Sequence, residues 1–200
     1  MGMLVSKWEC TAKFPIRNWL SAFVRNPVAH YWLQEAGLDE RYVTRALCVQ
    51  WSCPMLSTEG FEPRAMAALA PRSFVQQLQI LPLRVTRSTV GPGILYLAFE
   101  DKLDASAAFA LERMLGLRVE SGLISGSHFT AAHQRLLQSR FAPETSLRVA
   151  GFDALVAAAA DAILRAKPID AKLVRMHGAY WLRLWKSSSP EIEDLILRMA

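Results

Sequence analysis

At 200 residues and 52% hydrophobic content the chain can bury a proper core, which excludes disorder as its general state and predicts one compact domain with an appendage, or two small domains. A net charge of +5 with a pI of about 9.4 permits acidic partners without demanding them. Cys10, Cys48 and Cys53 are odd in number and form no C-x-x-C pair, so neither a disulfide framework nor a zinc site is indicated, and a reducing cytoplasm fits best. No basic segment followed by an apolar core marks a secretory leader, and no apolar run approaches the ~18 residues needed to span a bilayer.

Residues 1–25 carry Trp8, Phe14, Ile16, Trp19, Leu20, Phe23 and Val24, with Pro15 breaking the middle; they read as an arm followed by a short helix over WLSAFV. Asn26-Pro27 is a cap followed by a first-turn proline, and it opens a helix with an apolar side of Val28, Tyr31, Trp32 and Leu33 that stops at Gly37. Asp39 caps a second helix, in which Val43, Ala46, Leu47 and Gln50 share a face. Pro63 predicts a short helix through Ala68, and Pro71 another carrying Phe74, Val75 and Leu78.

The centre of the chain is read over residues 81–137. Strands over 83–86 and 94–99 flank Gly91-Pro92-Gly93, which predicts a hairpin. Asp104 precedes a helix in which Ala108, Phe109, Leu111, Met114 and Leu115 recur at helical intervals, and Gly116 ends it. A third strand follows over 117–124, and Ser127 is read as the cap of a helix carrying Phe129, Ala132, Leu136 and Leu137.

Beyond Arg140 the character changes. FAPETSLRVAG reads as a linker, and residues 152–165 as an alanine-rich helix with Leu155, Val156, Ala159, Ile163 and Ala166 available for packing. Residues 172–176 and 180–186 alternate about His177-Gly178-Ala179 and predict a hairpin with Trp181 and Trp185 on one face, Leu182 and Leu184 on the other. Ser189-Pro190-Glu191 then reads as the start of a final helix with Ile192, Leu195, Ile196 and Met199. The expected class is therefore α+β: short N-terminal helices, a small ββαβα central unit and a C-terminal helix-hairpin-helix satellite. The expected divisions are 1–25, 26–140 and 146–200.

The run ILPLRV, then GILYLAFEDKLDASAAFALERMLGLRVESGLIS, then HFTAAHQRLL resembles the N-terminal domain of the GspE family of type II secretion and type IV pilus assembly ATPases. The related MshE-type domain also occurs attached to bacterial membrane glycosyltransferases. The similarity runs from about Ala36 to Leu137, with one departure, Lys102 after Asp101 where the family usually has proline. The resemblance implies a cyclic di-GMP motif, whose second half is matched by Gly37, Leu38, Val43, Leu47 and Gln50. Its first half is not matched: Val28-Ala29-His30 stands where Arg-Leu-Gly belongs, so a phosphate-facing guanidinium and a close-approach glycine are missing. In a receptor, Arg17, Arg25, Arg41 and Arg45 would supply that charge.

Catalytic signals are absent from the sequence. No G-x-x-x-x-G-K-[ST] phosphate loop occurs, so the chain is not the motor of an assembly ATPase, and GLISG over 122–126 has the wrong spacing for a nucleophile elbow. His128 and His133 do not share a helix face, and the tryptophans near Arg175 and Arg183 are read as core, which disfavours nucleic acid. The expected function is a non-catalytic interaction or regulatory module of a bacterial secretion, pilus or exopolysaccharide-glycosyltransferase system. It is expected to act in the cytoplasm, held at the inner face of the membrane through a protein partner, with no cofactor. The alternative is a cyclic di-GMP receptor whose site comprises Gly37, Leu38, Arg41, Val43, Arg45, Leu47 and Gln50.

Overall fold

The computed structural model describes residues 37–200 other than 88, 90 and 187–190. The N-terminal arm, the WLSAFV and Asn26-Pro27 helices, Arg17, Arg25, the Val28-Ala29-His30 tripeptide and the Ser189-Pro190 cap lie outside the described residues.

Helix α1 (Glu40–Gln50) begins where the sequence requires, because the Asp39 carboxylate accepts the Arg41 N–H at 2.8 Å. It buries Val43, Thr44, Leu47 and Cys48. Two short helices follow, α2 (Pro63–Ala67) and α3 (Arg72–Leu78), each opened by the proline that predicted it. Strands β1 (Leu81–Thr86) and β2 (Ile94–Phe99) form the expected antiparallel hairpin. Helix α4 (Ala105–Leu115) starts at Asp104, whose carboxylate accepts the Ala107 N–H, and ends at Gly116 in the left-handed region at φ 66°. It carries the chain across to β3 (Arg118–Leu123), which lies parallel to β2, giving the order β1-β2-β3. Helix α5 (Gly126–Leu137) completes the ββαβα unit.

Two details of this unit differ from the sequence reading. The α5 cap is Ser125, not Ser127: Ser125 is buried with extended backbone, whereas the Ser127 hydroxyl is turned to a tertiary partner, Glu40. Phe109 is 63% exposed, because the buried stripe of α4 is Ala107, Ala110, Leu111 and Met114.

Segment Pro54–Leu56 runs beside β3, with the Leu123 N–H donating to the Pro54 carbonyl at 3.0 Å and the Leu56 N–H to the Leu123 carbonyl at 2.7 Å. This close approach explains Gly122. A methyl group there would stand 2.5 Å from the Pro54 carbonyl oxygen and 2.7 Å from Leu56 Cγ. Gly122→Ala is therefore expected to cost about 1–3 kcal/mol by forcing the segment off the strand. Urea denaturation checks this, and a midpoint equal to that of the parent chain would contradict it.

The second half is a four-stranded sheet of order β4 (Glu144–Val149), β7 (Ile192–Met199), β6 (Ala179–Trp185), β5 (Asp170–Met176), crossed by one helix. Strands β5 (Asp170–Met176) and β6 (Ala179–Trp185) form the predicted hairpin, and α6 (Phe152–Ala166) matches its predicted span. Two expectations fail here. The presumed linker contains an edge strand, β4 (Glu144–Val149), and the presumed final helix is a strand, β7 (Ile192–Met199), paired parallel to β4 and antiparallel to β6.

The apolar spacing of Ile192, Leu195, Ile196 and Met199 suits a helix, but both faces of β7 are covered, so residues 194–197 are buried in unbroken sequence. A short run buried on both sides loses the alternation that distinguishes strand from helix. β4 gives no strand signal for the opposite reason: on the sheet edge only Val149 is buried, leaving almost no apolar pattern.

The sheet's two faces serve two clusters. Leu182, Leu184, Leu195, Leu197 and Val149 pack under Leu155, Ala159 and Ala162 of α6. Trp181, Met176, Ala179 and Ile196 face the other way and join the large core built by α1–α5 and the first sheet. Trp181 meets Phe74 of α3 edge to face, with ring centroids 5.8 Å apart and planes at 85°.

Candidate functional site

The seven residues read from the sequence as a nucleotide site do not form one surface. Leu38, Val43 and Leu47 are at most 7% exposed and belong to the large core. Gly37, Arg41, Arg45 and Gln50 are exposed. Arg41 and Arg45 lie one turn apart on the outward side of α1, a spacing at which side chains share a face. Neither guanidinium has an ion-pair partner among the described residues. The motif's apolar positions thus act as packing anchors, and its polar positions remain in water.

Beside this helix lies a contact that sequence reading missed. Glu40, in the first turn of α1, reaches the start of α5, where one carboxylate oxygen accepts the Ser127 backbone N–H and the other accepts the Ser127 hydroxyl at 2.6 Å. A carboxylate at a helix N-terminus satisfies an orphan donor and suits the dipole, so Glu40 ties two helix starts together. Ser125 and His128, in the same turn, are joined at 2.7 Å between Oγ and Nδ1.

Cys48 and Cys53 are free, and their thiols lie within hydrogen-bonding reach of each other at the end of α1. Burial, reinforced by the neighbouring Cys53, pushes the Cys48 thiol up to about 12 from an ordinary 9.0, and burial also raises Cys53. In the unfolded chain Cys48 ionises near pH 9, whereas the folded chain keeps that proton to about pH 12. The unfolded state therefore sheds its proton first, and stability falls as pH rises through that window. Cys48→Ala is expected to flatten the decline. Denaturation midpoints taken across the window check this, and a decline of unchanged slope in the variant would remove the thiol as its source.

On another side of the first unit, α2 packs against α5 and a cleft of about 950 Å³ opens between them. Three arginines converge on it: Arg64 from α2, Arg135 from the last turn of α5, and Arg140 just beyond. Glu62 is the one acidic residue in the lining, with Gln138 and Ser139 between the cations. Arg135 lies over the Phe61 ring, 5.7 Å from its centroid, and Ser139 donates its hydroxyl to the Arg135 carbonyl at 3.2 Å. No sequence pattern announces this site, because its arginines are more than seventy positions apart in part and meet only when α2 and α5 pack.

The fold accords with one comparison with known proteins. Residues 51–143 match the family model of the MshEN domain. The match spans just under half of the chain and is consistent with a domain of the GspE/MshE N-terminal type, with no ATPase phosphate loop in the sequence beside it. MshEN domains are associated with secretion and pilus systems and with cyclic di-GMP binding. No curated protein matched the chain. The matched segment contains the α2–α5 cleft and the whole ββαβα unit, whereas α1 with Arg41 and Arg45 precedes it.

Two other surfaces complete the inventory. Trp181, read from the sequence as core, is 0% exposed and Arg183 beside it 1%, so neither is available to a strand of nucleic acid. Helix α6 instead shows apolar side chains to solvent: Phe152 is 61% exposed, Val156 49% and Leu164 72%. The sequence predicts packing for Val156 and Ile163, but the inward stripe is Leu155, Ala159 and Ala162. Among the described residues no helix is long and apolar enough to cross a membrane, and no group of three potential ligands surrounds a metal position.

Proposed function

We propose that this chain is a non-catalytic interaction module of a bacterial secretion, pilus or exopolysaccharide-glycosyltransferase system, held at the inner face of the membrane by a protein partner. The observation that carries the reading is the MshEN match over residues 51–143 in a sequence without a phosphate loop. The outward face of α6 supports it, since a helix on a folded surface that exposes phenylalanine, valine and leucine together is a usual mark of a protein contact.

A photo-crosslinking residue placed at Leu164 in the native host tests the reading. The expected product joins the chain to a component of one of those systems and is lost when Phe152 and Val156 are both replaced by serine. Products containing no such component above background would overturn it. Calorimetric titration with cyclic di-GMP covers the alternative, in which Arg41 and Arg45, unpaired on one helix face, hold phosphate. Micromolar binding abolished by Arg41→Ala with Arg45→Ala would make the chain a second-messenger receptor instead.

A further inference from the structure

We infer that the cleft between α2 and α5 is a docking groove for an acidic peptide segment of a protein partner. The inference rests on the reading of the chain as an interaction module, and it assigns that partner a chemistry. Its first support is unbalanced charge. Arg64, Arg135 and Arg140 face one cleft with Glu62 as its only lining carboxylate, and none of the three is in an ion pair among the described residues. Converging guanidiniums repel one another, and carboxylates that enter between them gain charge-assisted, bidentate hydrogen bonds.

The second support is pre-organisation. Arg135 rests on Phe61, a ring only 6% exposed, so its guanidinium is already held in place before a partner arrives. Less side-chain entropy is then lost on binding. Arg135 and Arg140 also sit in and just past the last turn of α5, where the helix dipole favours cations.

The lining decides between a peptide and a nucleotide. Among the described residues no aromatic ring lines the cleft, so a nucleobase would find charge but no face on which to stack. Gln138 and Ser139 offer amide and hydroxyl groups of the kind that pair with peptide N–H and C=O. At about 950 Å³ the cleft has room for several residues of a peptide.

A display library of random peptides panned on the full chain tests the inference. The selected peptides are expected to be rich in Asp and Glu. They should bind at least about tenfold more weakly to the Arg64→Ala, Arg140→Ala double variant, which leaves the Phe61 contact intact. The corresponding Lys variants should retain part of the affinity, because charge survives without the bidentate fork. Selected peptides without acidic enrichment, equal binding to the double variant, or full displacement by inorganic triphosphate would each overturn the groove. Crosslinking through Leu164 reads a different surface: if it persists when the groove fails, the interaction module stands without it.

Discussion

Asp194→Ala is expected to lower the unfolding free energy by about 3–5 kcal/mol, enough to leave a marginal domain partly unfolded at ordinary temperature. Asp194 is 0% exposed and holds three donors: Trp181 Nε1 at 2.7 Å and Arg183 Nε at 2.8 Å on one oxygen, Arg183 Nη2 at 2.7 Å on the other. Removing the carboxylate strands a guanidinium that is itself 1% exposed. The two remaining acceptors of Arg183, the carbonyls of Ala68 and Leu69 at 2.9 and 3.2 Å, carry no formal charge. Replacing both partners, Arg183→Met with Asp194→Leu, is expected to cost much less than the single change, because no charge is then buried unpaired. Denaturant midpoints at constant slope measure both, and a loss under about 1 kcal/mol for Asp194→Ala would show that water reaches the site.

Trp181→Ala is expected to cost a similar amount, about 3–5 kcal/mol, through a different route. The indole is fully buried between the second sheet and α3, and its removal leaves a cavity where the two halves of the chain meet. Trp181→Phe should cost distinctly less: a ring still meets Phe74, while Asp194 loses one donor but keeps both bonds from Arg183. A double-mutant cycle with Phe74→Leu is expected to show coupling of about 0.5–1.5 kcal/mol. Additive costs would mean that the ring contact contributes nothing beyond its burial.

These two residues also show why part of the molecule was legible and part was not. Trp181 and Leu182 were assigned to opposite faces from alternation alone, and the assignment holds because a strand's side chains alternate whatever covers them. Arg183 follows them in the same alternation, yet nothing local distinguishes a buried arginine from an exposed one. Its partner Asp194 lies in a segment that read as a helix, and the pairing becomes visible only when β7 is laid beside β6. The α2–α5 cleft has the same character: each arginine sits in or beside a helix the sequence placed correctly, but their convergence belongs to helix packing. The motif residues of α1 were found as a spacing, and the same spacing proved to contain both core anchors and exposed cations.

The sequence by itself determined the elements with local causes. Asp39 and Asp104 accept the first N–H groups of their helices, Pro63 and Pro71 start α2 and α3, Gly116 stops α4, and Gly91-Pro92-Gly93 turns β1 into β2. Those signals act over a few residues, so the ββαβα order and its likeness to the MshEN domain could be read directly. Only the tertiary structure decided that residues 192–199 are a strand, that 144–149 form its parallel neighbour, that Arg183 and Asp194 pair in the interior and that three arginines face one cleft. Each of these depends on segments far apart in the chain. The free energy that selects them comes from burial and charge pairing that exist only once those segments are in contact.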